Sequence, residues 1–64
     1  MTKFKENIKE LRKQFGLNQT QFAKRICVSR NIVANWESDK SEPSLDDLIR
    51  ISKNFDIGYE ELLK

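Results

Sequence analysis

Sixty-four residues, 38% hydrophobic and 34% charged, are enough for one small soluble domain with a modest core and too few for much of a ligand pocket. One cysteine and no histidine exclude an intrachain disulfide and a Cys/His metal site; no carboxylates or lysines form an acid–base constellation, so neither an enzyme nor a cofactor is expected. The net charge of +2 is divided unevenly: residues 1–36 carry eight Lys/Arg against two Glu, and residues 37–64 carry four against eight Asp/Glu, so the first part suits a polyanion.

Thr2 to Phe15 reads as the first helix. Phe4, Ile8, Leu11 and Phe15 recur at i, i+4, i+7 and i+11 and make one apolar stripe. Thr2 stands at the cap, and Gly16 ends the helix as a left-handed residue. The other face holds Lys3, Lys5, Lys9 and Lys13, with Glu6 and Glu10 spaced for i, i+3 pairs to Lys9 and Lys13. Arg12 stands apart from them. The charge between Met1 and Glu10 does not resemble a signal peptide, and no apolar run approaches the ~18 residues of a membrane span. A cytoplasmic location is therefore expected.

Residues 17–38 are the stretch around which the chain is organised. Asn18 is a good N-cap, and Gln21 completes a capping-box pattern. Gln19 to Ile26 follows as the second helix, with Phe22, Ala23 and Ile26 on one face. Gln19, at its first position, points its backbone N–H and amide beyond the helix end, where a phosphate is favoured; an ordinary polar residue also fits there. Cys27-Val28 interrupts the pattern. Ser29 is a second N-cap, and Val28 is placed to staple onto Val33. Two short helices with a tight break make a helix-turn-helix.

The third helix runs from Ser29 to Glu37 or Ser38. At about 100° per residue, Val33 and Trp36 share a face. Asn31 and Asn35 lie opposite with Ser38 beside them, and Arg30 and Ile32 flank that outer side. Asn is a poor helix former, so amides there are either hydrogen-bonding groups for a partner or ordinary surface residues. In the first reading Asn pairs with adenine and Arg with guanine in the major groove. Ile32 touches a thymine methyl or packs at an edge of the core. Ser29 caps, contacts a phosphate, or does both.

Ser38 to Pro43 is a loop whose only cation is Lys40, with Ser41 preceding Glu42-Pro43. Ser44 caps the fourth helix with Asp47 as a second box. Leu45, Leu48, Ile49, Ser52 and Phe55 are expected on its inner face, with Ile51 at an edge. Asp56-Ile57-Gly58 is the next break. Tyr59 to Lys64 is a last short helix, with Glu60 and Glu61 where the dipole favours them. Short loops between helices predict an all-α, compact five-helix domain over residues 1–64.

The ordered set Leu11-Arg12, Gly16-Leu17-Asn18-Gln19, Phe22-Ala23, Val28-Ser29, Val33, Trp36-Glu37, Pro43-Ser44-Leu45, Leu48 and Ile57 to Leu63 resembles the Cro and repressor proteins of lambdoid phages, the XRE-type helix-turn-helix family. The resemblance implies a lambda-repressor-like DNA-binding domain whose third helix enters the major groove. It implies that Gln19 grips a phosphate and braces the third helix, and that Ser29 contacts the DNA backbone. Arg30, Asn31 and Asn35 would face bases or phosphates, and Lys40 and Ser41 would lie along the backbone. The position of Ile32 is usually small and polar in the family, so an isoleucine fits a thymine methyl or an edge of the core. Arg12 and Glu37 match a pair that forms a salt bridge beside the DNA; Glu37 opposes the dipole at a helix C-terminus and calls for a cation.

Three departures from the family pattern stand out. Cys27, Asp39 and Asp56 occupy turns that prefer glycine, and a left-handed backbone there costs about 1 kcal/mol each. Asp tolerates that region better than Cys, so a differently shaped turn is an open reading at Cys27. Glu42 makes the loop less basic than in some relatives.

The expected function is that of a sequence-specific double-stranded DNA-binding transcriptional regulator, a repressor. It would act as a homodimer on a near-palindromic operator with half-sites about 34 Å apart. Ile57, Tyr59, Leu62 and Leu63 are the candidate interface, with core packing, or dimerisation through a region of a longer parent protein, as the other readings. The alternative function is a protein-interaction module, antitoxin-like or regulator-binding, that works through the acidic second half.

Overall fold

The computed structural model describes residues 3–64; the cap expected at Thr2 lies outside them. The fold is all-α: α1 (Phe4–Gln14), α2 (Gln19–Arg25), α3 (Arg30–Glu37), α4 (Leu45–Phe55) and α5 (Tyr59–Leu63). Two helix starts are built by side chains. Asn18 accepts from the Gln21 N–H while the Gln21 side chain accepts from the Asn18 N–H, both at 2.8 Å. Ser44 and Asp47 make the same reciprocal pair at 3.1 and 2.9 Å. Each box satisfies two backbone donors that a helix start otherwise leaves without partners.

Four helix ends share one device. Gly16, Cys27, Asp39 and Asp56 all have positive φ, at 67°, 61°, 64° and 52°. After each, the next N–H reaches back to a carbonyl of the last helical turn: Leu17 to Arg12, Val28 to Ala23, Lys40 to Asn35 and Ile57 to Ser52. This is the left-handed ending that satisfies orphan carbonyls. The turn at Cys27 therefore keeps the left-handed shape although it lacks glycine. Leu17, Val28 and Ile57, the residues after three of these corners, pack against the core; Lys40, after the fourth, is exposed.

Phe4, Ile8 and Leu11 of α1 meet Val33 and Trp36 of α3 in the core, with the Phe4 ring edge-on to Trp36 at 5.7 Å. Phe22 of α2 stacks on Phe55 of α4 at 4.7 Å and 10°. Phe15 departs from the expected stripe. It is the residue after α1, the chain turns away at Gly16, and its ring is left at the rim, edge-on to Phe55 at 4.8 Å. The Arg25 guanidinium lies 4.8 Å from the Phe55 ring centroid and covers this corner.

The inner face of α4 is also turned from the expected one. Ile51 is fully buried with Leu48 and Phe55, whereas Leu45 is 64% exposed and Ile49 37%. Leu48, Ile51 and Phe55 stand at i, i+3 and i+7 and make the stripe that packs on the core. The half-buried Ser52 hydroxyl beside them donates to the Ile57 carbonyl at the α4–α5 corner. Leu62 is buried, which removes it from the candidate interface and places it in the core. The Asn7 amide ties α1 to the end of α5, donating to the Glu61 and Leu62 carbonyls at 3.3 and 3.0 Å.

Candidate nucleic-acid interface

With Val33 and Trp36 held inside, helical geometry decides what α3 shows outside. Arg30, Asn31 and Ile32 are exposed and Asn35 is half-buried. Ile32 is 39% exposed, so it stands at the surface and not in the core. Ser29 precedes the helix in extended backbone, and its side chain makes no capping hydrogen bond. Capping therefore does not account for a serine here. Lys40 and Ser41 are exposed in the loop after α3.

Behind this face lies a chain of polar bonds. Arg12 grips Glu37 with two parallel bonds, Nε to Oε2 at 2.8 Å and Nη2 to Oε1 at 3.1 Å, and donates Nη1 to the Leu17 carbonyl at 2.9 Å. Gln19 donates Nε2 to Glu37 Oε1 at 3.1 Å. Its Oε1 accepts from Arg30 Nη1 at 3.0 Å. Arg30 Nη2 in turn donates to Asn31 Oδ1 at 3.2 Å. Four of the nine residues singled out from sequence, Arg12, Gln19, Arg30 and Asn31, are thus joined through Glu37. Ser29, Ile32, Asn35, Lys40 and Ser41 stand outside this chain of bonds.

The brace that the resemblance implies for Gln19 is present; its particular partners, Glu37 and Arg30, were not among the sequence expectations, and neither was the burial of Glu37. A signal for the burial was present: Glu37 lies four residues after Val33, directly above it on the inward face. Burial pushes the Glu37 carboxyl up, but hydrogen bonds from Arg12 and Gln19 and the charges of Arg12 and Lys9 outweigh it and hold it below the usual carboxylate range. The hydrogen bond to Glu37 raises the Arg12 guanidinium. Both groups are therefore ionised at neutral pH, and the pair pins the C-terminal end of α3 to α1.

Two short helices meeting at a tight left-handed corner, the second with a polar outer face, define a helix-turn-helix. The helix-turn-helix family pattern matches residues 8–62, and the chain belongs to that family. It is 40% identical over 60 residues to the HTH-type transcriptional activator BcrR of Enterococcus faecalis, covering 94% of this chain and 29% of BcrR. It is 33% identical to the antitoxin PezA of Streptococcus pneumoniae, covering 91% of this chain and 37% of PezA. In structure it is similar to the P22 c2 repressor solved in complex with a synthetic operator, with a TM-score of 0.88 and 30% identity over 95% of this chain and 92% of that one. The chain spans well under half the length of the two curated relatives named.

Proposed function

We propose that residues 1–64 act as one sequence-specific double-stranded DNA-binding module of a transcriptional regulator, a repressor. The observation that carries this reading is the sidedness of α3. Its indole and valine are buried, while a guanidinium, an amide and an isobutyl-sized side chain at Arg30, Asn31 and Ile32 are presented together. An α-helix fits the major groove, where such groups meet base edges and thymine methyls. Asn35 extends the same side. Arg12 acts from behind as the anchor of Glu37, beside the DNA. Ser29, Gln19, Lys40 and Ser41 surround the helix as phosphate contacts, which set position and not sequence. The similarity to the operator-bound P22 c2 repressor supports the same placement.

One such module covers a short half-site. The working form in this reading is a cytoplasmic homodimer on a near-palindromic operator, joined through the side of α5 that leaves Tyr59 exposed. Duplex binding measured against salt tests the proposal. With about four phosphates neutralised, affinity falls roughly a hundredfold between about 50 and 200 mM salt. A flat curve at weak affinity rejects the proposal. It favours instead a module that holds a protein, a reading supported by the similarity to PezA and by the acidic residues of the second half.

A further inference from the structure

The chain of bonds behind α3 settles which end of each amide faces outward. A carboxylate has no proton to give, so Gln19 presents its Nε2 to Glu37. A guanidinium has no acceptor, so Gln19 presents Oε1 to Arg30, and Asn31 presents Oδ1 to Arg30. The anchor of this sequence is Glu37, with 4% of its side chain exposed and both oxygens held by Arg12. Polarity is thus handed outward from a buried anion to the reading edge. It leaves Asn31 with its Nδ2 donors free and its oxygen, with one of two lone pairs taken, set beside a cation.

We infer that Arg30 and Asn31 form a single donor unit, so that the base facing Asn31 is guanine or thymine and adenine is rejected there. The inference rests on the DNA-binding reading above. Guanine offers N7 and O6 and thymine offers O4, all acceptors, in the major groove; adenine adds a donor, its N6 amino group. The usual paired contact of an asparagine with adenine needs the amide oxygen to accept from N6. In this protein that oxygen lies 3.2 Å from a guanidinium nitrogen. An incoming amino group would meet a cation of its own polarity, whereas a keto oxygen or ring nitrogen is attracted to it. Gln19 retains a second Nε2 proton for a phosphate while it keeps Arg30 in place.

The test is selection of bound sequences from a randomised duplex library by the full chain and by Asn31→Ala. The position at which Asn31→Ala loses its preference is the one that Asn31 reads. The unmodified chain is expected to deplete adenine about tenfold there relative to guanine or thymine. Asn31→Asp, which has no donor, is expected to lose that preference as well; if this variant fails to bind, the Ala comparison decides alone. Adenine enriched at that position, or no position altered by Asn31→Ala, overturns the donor assignment and leaves DNA recognition standing. Absence of any selected sequence overturns both.

Discussion

Glu37 carries its charge where only 4% of its side chain meets solvent, and it keeps that charge because Arg12 answers it with two bonds. Removing one partner of such a pair strands the other, which costs more than the pair itself contributes. Arg12→Ala is therefore expected to destabilise the domain by about 3 kcal/mol, read from denaturant unfolding. The pH dependence follows from the direction of the shift. The folded Glu37 carboxyl lies below its ordinary value of 4.5, so its contribution is complete above that pH and is lost as pH falls through the lower folded value. Glu37→Gln should flatten this acid limb. Part of the limb is expected to persist, because Asp47 is also held low: burial raises it, but bonds from Ser44 and Arg50 more than offset that.

Among the elements, the corners decide the path of the chain. Cys27 adopts a left-handed backbone without the freedom of glycine, which costs about 1 kcal/mol. Cys27→Gly is expected to raise the thermal midpoint by several degrees for a domain of this size, measured by circular dichroism. The capping boxes and the corner at Gly16 were legible in the sequence because each is set by residues within one turn of one another. The corners at Cys27, Asp39 and Asp56 show there only through the family's preference for glycine, which leaves the shape at Cys27 open. The facing of α4 was not. Leu45, Leu48, Ile49, Ile51 and Phe55 permit two apolar stripes, and the choice between them is made by packing against the other helices, which spacing within α4 does not contain. Phe15 was misplaced for a similar reason, since a stripe drawn along a helix takes no account of where the helix stops.

At the scale of the molecule, Trp36 joins α1 to α3 through its edge contact with Phe4. Trp36→Ala should cost about 3–5 kcal/mol, much of the total stability expected of a domain this small. Loss of helical circular dichroism at 25 °C is the expected result, and a stable folded variant would contradict the facing of α3. Helical period and family resemblance point to nine candidate site residues, and of those on α3 Arg30, Asn31 and Ile32 are exposed and Asn35 is half-buried. The family resemblance implies the Arg12–Glu37 pair and a Gln19 brace on the third helix, and both are present. The Gln19–Arg30 bond was not legible, because those two residues meet only when α2 packs on α3.

The corner at Asp39 differs from its three counterparts. Elsewhere the residue after the bend is apolar and is driven inward, so the bend also rivets the chain. Here that residue is Lys40, and from Ser38 to Ser44 only Pro43 is even half-buried. Changes of length are accordingly expected to be tolerated at this junction. If the loop lies along DNA as proposed above, lengthening or shortening it is expected to alter how far the polypeptide extends along a sugar–phosphate edge while the interior stays as it is.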